Sequence, residues 1–226
     1  YQIQYRPAQS ANAEDQYKVP MSIYPAGTIN LLAREAGYPH DAESFAARVL
    51  GQGARRHHHA VAMGDSHFFA CASVGPDSLA VLQVSPRLKR AIGRLAYAFA
   101  ALKLLFDWQR TSIELDTGDR KVRCEAFYVA KGRYYAGGWS FAREARVHEP
   151  LLHVVALRTA RRRDYLRFVA TLVTGRDVSR LANVVAFTCT TLRASAAAPL
   201  PIQADGDVVG TLPVTLTVGD EPLIFR

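Results

Sequence analysis

The chain has 226 residues, of which 49% are hydrophobic and 21% are charged, a balance typical of a globular protein with a buried core. It contains no run of about 18 uninterrupted apolar residues, so we expect no transmembrane helix, and its first residues do not resemble a signal peptide. The formal net charge of +8 favours an anionic partner: a nucleic acid, a phosphorylated small molecule or an anionic membrane surface.

The cysteines Cys71, Cys124 and Cys189 lie far apart in apolar or alternating segments and form no Cys-x-x-Cys pair. An odd number of such cysteines is typical of reduced, buried thiols. We therefore expect a cytoplasmic protein without a zinc site.

Residues 1–53 predict an α/β arrangement. The segment "KVPMSIYP" is typical of a short strand, and a small turn follows it. A helix is then predicted from about Asn30 to Ala36, where Gly37 stops it. A second helix is predicted in "DAESFAARVL", with Asp41 as its cap and "GQG" as its end.

From Ala54 onward, short β-branched or aromatic segments are separated by Gly, Asp or Pro turns. The predicted strands lie in "HHHAVAMG", "HFFACASVG", "TSIELDTG", "KVRCEAFYVA", "RYYAGGWSFA", "LLHVVALR", "NVVAFTCTTLRA", "LPIQADGDVVG" and "LPVTLTVG". Many short strands of this kind predict an antiparallel β-sandwich or barrel. Two helices interrupt them: one begins at Ser85 and carries an apolar stripe, and the other, "RRRDYLRFVATLVTG", ends at Gly175.

The stretch "YPAGTINLLAR", residues 24–34, places a small turn directly before a helix. A helix N-terminus offers unpaired N–H groups and a positive dipole, which suit a phosphate group. Gly27 would let the backbone approach such a ligand, and the Thr28 hydroxyl could donate a hydrogen bond to it. The alternative is an ordinary helix cap, which is the commoner role of such a pair.

The segment "QADGDVVG" contains an Asp-Gly pair between two alternating segments, a strong signal for a two-residue β-hairpin turn. On that interpretation alone, Asp205→Asn should be nearly silent, because Asn-Gly serves the same turn. The functional alternative is a pair of carboxylates, Asp205 and Asp207, one of which acts as a general base.

Three consecutive histidines in "RRHHHAVA" suggest a metal site. A strand turns alternate residues to opposite faces, so only His57 and His59 could share one face, and spacing places no third ligand. We therefore expect an ordinary strand surface here.

Two basic clusters could contact phosphate or lipid headgroups. Arg87, Arg90 and Arg94 share one face of a predicted helix, and residues 158–163 form the second cluster, "RTARRR". The alternative for both is a solvated face. Nucleic-acid binding has little support, because candidate stacking aromatics occur only near Arg133.

Four stretches together resemble the diacylglycerol kinase catalytic family, including bacterial lipid kinases and, more distantly, sphingosine kinases. "YPAGTINLLAR" is similar to the family's P-x-G-T-x-N-D-x-A-R segment, and "FFACASVGPDSLAV" with "LKRAIGRLAYAFAAL" resembles a strand and long helix of its second domain. "RYYAGGWSFAREARVHEPLLHVVAL" is similar to G-G-G-x-x-x-A-P-x-A-x-x-D-D-G-x-L, and "PIQADGDVVGTLPVTLTV" resembles the closing Q-x-D-G-E. The stretches occur in the family's order.

The resemblance implies an α+β, mostly β, fold with two domains. Residues 1–53 would be part of an α/β ATP-binding domain, and residues 54–226 an antiparallel β-sandwich with two helices on the substrate side. The active site would lie in the cleft between them.

By matching position, the resemblance implies that Thr28 contacts the nucleotide and that Gly27 and Asn30 shape its turn. Asp205 and Asp207 match two acidic positions near the lipid hydroxyl, with Asp207 at the usual base position. The cofactors implied are ATP and Mg²⁺.

The chain departs from the family pattern at its catalytic segments. The G-G-D-G-T loop that cradles the phosphates is absent, so we expect an incomplete catalytic unit that is inactive alone. Asp207 replaces Glu, which shortens the carboxylate's reach by a methylene and keeps Asp205 a candidate base. Leu31 stands where Asp is usual.

The stretch that carries a structural magnesium in some relatives is also altered. His148, Glu149 and Pro150 stand where Asp, Asp and Gly are usual. The metal ligands of this stretch are therefore unknown, with Glu149 the remaining candidate.

We expect a lipid kinase that transfers the γ-phosphoryl group of ATP to a lipid hydroxyl. It would act in the cytoplasm, peripheral to an anionic membrane surface, and a homodimer is left open. The alternative is a non-catalytic lipid-binding or regulatory relative, which the altered metal stretch suggests.

Overall fold

Two antiparallel six-stranded sheets make up most of the structure. It is a computed structural model, and the residues that it describes are 20–27, 29–51, 55–83 and 110–226. The helix predicted from Ser85 lies outside these ranges, and so do the arginines at positions 87, 90 and 94 and the candidate nucleotide contact Thr28.

The strands form a sandwich. In chain order they are β1 (Arg56–His58), β2 (Val61–Met63), β3 (Ser66–Phe68), β4 (Cys71–Val74), β5 (Ile113–Asp116), β6 (Lys121–Cys124), β7 (Ala126–Ala130), β8 (Leu152–Leu157), β9 (Val184–Cys189), β10 (Thr191–Ala196), β11 (Pro201–Ala204), β12 (Asp207–Thr211), β13 (Val214–Val218) and β14 (Leu223–Phe225). The first sheet has the order β3-β2-β13-β10-β5-β6, the second has the order β12-β11-β4-β7-β8-β9, and β1 pairs separately with β14. All of these pairings are antiparallel, which confirms the predicted β-sandwich.

The main core lies between the two sheets, where alternate residues of each strand meet. In β5, Ile113 and Leu115 are buried in this core, while Glu114 and Asp116 are partly exposed, as expected for a sheet with one face in water. β7 is instead buried along its whole length, because both faces of the second sheet are covered.

The described helices are α1 (Leu31–Glu35), α2 (Ala42–Leu50), α3 (Pro76–Gln83) and α4 (Arg162–Val173). α4 covers the outer face of the second sheet: Tyr165, Phe168 and Leu172 are buried there, and the Phe168 ring stacks on Tyr128 with 5.0 Å between centroids. This helix and its end at Gly175, which has a φ of 67°, confirm the prediction. None of the described helices is long and apolar enough to span a membrane.

The segment before β1 packs against the sandwich. Ala33 of α1 belongs to one apolar cluster with Phe69 and with Phe225 of β14. The Asp41 carboxylate caps α2 as predicted, by accepting the N–H of Ser44 at 2.7 Å. The domain boundary after residue 53 stays a prediction.

Two predicted strands are absent from the described residues. "RYYAGGWSFA" contains only an isolated bridge between Tyr135 and Trp139, because Ala136 and Gly137 have φ values of 47° and 105° and turn the chain. The described part of "KVPMSIYP" contributes a single bridge from Met21 to β14. Conversely, α3 and β14 were not expected from the sequence.

Candidate active site

The hairpin between β11 and β12 carries both candidate carboxylates. Asp205 and Gly206 form its turn with φ values of 49° and 95°, the left-handed conformation that a type I′ turn requires. Ala204 pairs with Asp207 across this turn. The predicted hairpin is confirmed.

The Asp205 carboxylate is held by backbone N–H groups from a distant part of the chain. Oδ2 accepts a hydrogen bond from the N–H of Phe69 at 2.7 Å, and Oδ1 accepts bonds from Ala70 at 2.9 Å and Cys71 at 3.0 Å. The N–H of Asp205 donates in turn to the carbonyl of Cys71 at 2.9 Å. The turn is therefore fixed to residues 69–71, which join β3 to β4.

The electrostatics of Asp205 suit a proton acceptor. Asp205 as a residue is exposed, but its carboxylate lies against the backbone of residues 69–71. Burial there raises the pKa of the carboxyl group above the ordinary range, while the hydrogen bonds from Cys71, Phe69 and Ala70 act in the opposite direction. The nearby Asp207 carboxylate raises this pKa further. A carboxylate with a raised pKa is better matched to proton transfer near neutral pH.

Asp207 is in a different environment from Asp205. It begins β12 and is half-buried. Its carboxylate accepts no hydrogen bond from the part of the chain that the structure describes. The side chain is therefore available to a ligand.

A series of side-chain hydrogen bonds runs inward from the turn. The N–H of Gly206 donates to Gln203 Oε1 at 3.0 Å, and Gln203 Nε2 donates to Ser73 Oγ at 2.6 Å. The Ser73 hydroxyl donates to Asp77 Oδ2, which also accepts a bond from the Tyr135 hydroxyl at 3.2 Å. The hairpin is thus connected to the first turn of α3.

Asp77 is a polar residue of this region that the sequence analysis missed. Burial raises the pKa of its carboxyl group, against the hydrogen bonds from Ser73 and Tyr135. Its Oδ1 atom is buried without a hydrogen-bond partner among the described residues. Pro76 followed by an acidic residue is a helix-start signal, and it could have located α3 and Asp77.

The opening turn is held by its own asparagine. Asn30 Oδ1 accepts the N–H of Gly27 at 2.7 Å, and Asn30 Nδ2 donates to the carbonyls of Pro25 at 3.0 Å and Gly27 at 2.5 Å. A Cβ atom on Gly27 would lie 2.8 Å from Asn30 Oδ1, so glycine is needed for this contact. Gly27 and Asn30 therefore define the turn, and their contact with a nucleotide stays a prediction.

α1 is fixed to the segment that follows β7. Glu35 Oε1 accepts the N–H of Tyr134 at 2.7 Å. Arg34 donates to the carbonyl of Gly137 at 3.2 Å, and its guanidinium carbon lies 4.5 Å from the centroid of the Tyr134 ring. The C-terminal end of this short helix is thus tied to residues 134–137.

The same segment contacts the residues that hold Asp205. The N–H groups of Lys131 and Gly132 both donate to the carbonyl of Ala70, at 2.8 and 3.1 Å. Contacts therefore run from α1, through residues 131–139, to the loop that binds the Asp205 carboxylate. The helix behind the opening turn and the hairpin are parts of one connected structure.

Two of the three consecutive histidines are buried structural groups. His58 Nε2 donates to the carbonyl of Phe69 at 2.7 Å, and His59 Nδ1 lies 2.8 Å from the carbonyl oxygen of Gly219. Burial lowers the pKa of His58 to about 4. His57 is exposed, so the predicted strand surface is correct for His57 and wrong for its neighbours.

The stretch with the candidate metal ligand, Glu149, brings no cluster of metal-binding side chains together in the described structure. Among the residues that the structure describes, no group of three or more His, Cys, Asp or Glu side chains could hold a metal ion. At Glu149 the backbone carbonyl is engaged instead, as the acceptor of a hydrogen bond from Lys131 Nζ at 2.7 Å. These residues do not fit the structural magnesium that the resemblance implies.

Known proteins resemble this chain in sequence. The family described as "YegS C-terminal NAD kinase beta sandwich-like domain" matches residues 70–224, which include both hairpin carboxylates. The chain is 20% identical over 195 residues to a diacylglycerol kinase of Bacillus subtilis (strain 168), covering 85% of this chain and 64% of that protein. It is 23% identical over 205 residues to an uncharacterised protein of Synechocystis, covering 87% of this chain and 46% of that protein.

A solved structure supports the fold. A crystal structure of a candidate diacylglycerol kinase from Bacillus anthracis (strain Sterne) superposes with a TM-score of 0.72 at 14% identity, covering 88% of this chain and 65% of that one. At this identity the likeness shows a shared fold. The chain spans less than two thirds of the length of each of these relatives.

Proposed function

The chain belongs to the YegS C-terminal NAD kinase beta sandwich-like family, as the C-terminal portion of a diacylglycerol kinase-like protein, and we propose that it forms the substrate side of a lipid kinase. In the proposed reaction a lipid hydroxyl attacks the γ-phosphoryl group of ATP, and ADP leaves. A carboxylate of the hairpin takes the proton from that hydroxyl as the new P–O bond forms.

The observation that carries this proposal is the fixed carboxylate of Asp205. Its Oδ1 accepts two N–H bonds and its Oδ2 accepts one, so Oδ2 keeps a lone pair for a substrate hydroxyl. A base that is already oriented loses no side-chain freedom when the substrate arrives. Together with its raised pKa, this arrangement makes Asp205 our choice for the general base.

Asp207 then has a supporting role. The resemblance places it at the usual base position, but its side chain is one methylene shorter than the family's Glu. Its negative charge raises the pKa of Asp205, and its half-exposed carboxylate can accept a second hydrogen bond from the lipid. We assign to Asp207 the role of orienting the lipid hydroxyl.

For the nucleotide, the proposal uses the opening turn and an ATP-binding domain of which residues 1–53 are a part. Gly27 and Asn30 shape the turn, and Thr28 would donate its hydroxyl to a phosphate oxygen. Mg²⁺ bound to ATP would neutralise part of the phosphate charge. A G-G-D-G-T loop, as the family has, would supply further phosphate contacts.

The outer face of α4 supports a membrane-facing position. Leu166 and Val173 lie two turns apart on this face, and their side chains are 51% and 47% exposed. Arg163 and Arg167 are exposed beside them. Exposed apolar residues flanked by arginines are typical of a helix that rests on an anionic bilayer, and the net charge of +8 favours the same surface.

The test is the transfer of labelled phosphate from ATP to lipids in anionic mixed micelles. We expect turnover by a longer form of the protein that includes a G-G-D-G-T loop, and none by residues 1–226 alone. The panel should contain several lipids with a free hydroxyl, diacylglycerol among them. If the longer form bound anionic vesicles but phosphorylated no member of the panel, the non-catalytic alternative would replace this proposal.

A further inference from the structure

The Lys131 side chain is fully buried, and all of its hydrogen bonds go to one loop. The residue directly follows β7 and has 0% exposure. Its Nζ atom donates to the backbone carbonyls of Arg146 at 3.1 Å, Val147 at 2.9 Å and Glu149 at 2.7 Å. These carbonyls belong to the stretch in which the resemblance implies a structural magnesium.

The geometry requires the charged form of the lysine. An ammonium group has three N–H donors and the neutral amine has two, so only the ammonium can bond all three carbonyls at once. The pKa of Lys131 is lowered to about 8 by burial, and the Glu149 and Glu35 carboxylates act in the opposite direction. The group therefore carries its charge at neutral pH.

Backbone carbonyls that converge on one point are also typical ligands of a hard metal cation. The loop is folded so that they do converge: the N–H of Glu149 donates to the Arg146 carbonyl at 3.2 Å, and the Val147 carbonyl also accepts the N–H of His59 at 3.0 Å. Three carbonyl oxygens that converge on one point favour a cation with several donors there, and the Lys131 ammonium supplies one.

We propose that the Lys131 ammonium is the resident cation of the loop over residues 146–149, in place of a divalent metal ion. The chain then carries its own cation, and the replacement of the family's first Asp by His148 follows, because that carboxylate is no longer needed to hold a metal. Glu149 keeps its carboxylate but contributes its backbone carbonyl.

This cation connects the loop to the hairpin site. The N–H of Lys131 donates to the carbonyl of Ala70, whose own N–H donates to the Asp205 carboxylate. A change at Lys131 can thus reach Asp205 through a single intervening residue. The altered stretch also ceases to be a reason to regard the protein as non-catalytic.

The first test is the metal dependence of the unmodified protein. We expect the purified chain to contain no stoichiometric divalent metal by mass spectrometry, and its Tm to be unchanged by EDTA or by added Mg²⁺ or Ca²⁺. A bound divalent ion near one equivalent, or a Tm that falls on treatment with EDTA, would overturn the proposal. This test does not depend on the lipid kinase activity.

The second test is Lys131→Met, which keeps the length of the side chain and removes its charge and donors. We expect its Tm to fall by about 10 °C, because three charge-assisted hydrogen bonds of a buried side chain are lost. The matched control is Lys121→Met, since the Lys121 side chain is 66% exposed and forms only surface ion pairs, and its Tm should shift by less than about 2 °C. Equal Tm values for the two variants would contradict the proposal.

If Lys131→Met does not fold, chemical acetylation of the native protein tests whether the Lys131 ammonium is enclosed. Lys131 should stay unmodified while Lys121 reacts, because the Lys131 ammonium is enclosed and fully bonded. Modification of both lysines at similar rates would contradict the proposal.

Discussion

The opening turn and the hairpin turn are both small turns with a left-handed residue, but they are stabilised from different distances. Asn30 bonds to residues three and five positions away, so the opening turn is a local structure. Asp205 bonds to N–H groups 134 to 136 positions away, so the hairpin turn depends on the whole sandwich. A local turn can form in a short segment, whereas the hairpin site exists only when both sheets are in place.

The long-range bonds of Asp205 change the interpretation of the Asp-Gly pair in the hairpin turn. The sequence interpretation set a turn role for Asp205 against a functional one and expected Asp205→Asn to be nearly silent if only the turn mattered. The structure shows a further role, because the carboxylate itself is bonded to residues 69–71. Asn-Gly would preserve the turn but lose acceptors, so we now expect a loss of stability.

The largest effect on stability is expected from Asp205→Ala. It removes the acceptors of three N–H groups, and bonds to a charged acceptor contribute about 1.5 to 3 kcal/mol each before relaxation, so the free energy of unfolding should fall by about 3 to 5 kcal/mol. Asp205→Asn is the matched control, because Asn tolerates the left-handed φ and keeps one acceptor oxygen. Urea unfolding of both variants should give a smaller loss of unfolding free energy for Asp205→Asn than for Asp205→Ala. If Asp205→Ala left the free energy of unfolding unchanged, the hairpin turn would not depend on its bonds to residues 69–71.

A slightly smaller effect on stability is expected from the protonation of His58, which bonds to the carbonyl of Phe69 in the loop that also binds Asp205. The folded protein holds His58 neutral with a pKa of about 4, against an ordinary value of 6.5. The unfolded chain therefore takes up the proton first as pH falls, so this contribution to stability is full above pH 6.5 and is lost between pH 6.5 and pH 4. The loss should reach about 3 kcal/mol.

His58→Gln isolates this contribution. Gln cannot titrate, and its Nε2 can still donate to the carbonyl of Phe69. Urea unfolding between about pH 7 and pH 4 should show a stability loss in the unmodified chain that is about 3 kcal/mol larger than in His58→Gln. Parallel curves for the two proteins would mean that His58 is accessible to protons in the folded state.

The smallest effect is expected at the opening turn. Asn30→Ala removes the side-chain bonds to Gly27 and Pro25 and places Ala at a φ of 50°, so we expect a loss of about 2 kcal/mol. Asn30→Gly keeps the backbone conformation available and should lose about 1 kcal/mol. Thermal or urea unfolding of the two variants separates the cost of the lost hydrogen bonds from the cost of the left-handed backbone. If Asn30→Ala lost as much stability as Asp205→Ala, the opening turn would not be the more weakly stabilised of the two turns.

Local chemistry was predicted well from the sequence. The Asp41 cap, the helix end at Gly175 and the Asp205–Gly206 turn each depend on residues within a few positions, and all three are confirmed. The sandwich followed from alternating strands such as β5. These features require no knowledge of distant contacts.

Features that depend on distant contacts were missed. His58 looked like a surface residue, but the packing of Phe69 and Phe225 around it buries it. The segment after β7 looked like a strand, but two left-handed residues turn it towards α1. The bond between Ser73 and Asp77, and the bonds of the Asp205 carboxylate, join residues whose proximity only the folded sheets create.

The most direct test of the proposed site is the turnover of Asp205→Asn and Asp207→Asn in the longer, loop-containing form of the protein. Both should be measured at saturating ATP, at a temperature where circular dichroism shows each variant folded, with an accepted lipid. We predict that Asp205→Asn loses about 10²- to 10⁴-fold in kcat and that the acid limb of its pH–rate profile disappears, because the amide cannot accept the proton. Asp207→Asn should lose less and keep that limb. Full turnover by folded Asp205→Asn, with an unchanged pH profile, would contradict the assignment of the base.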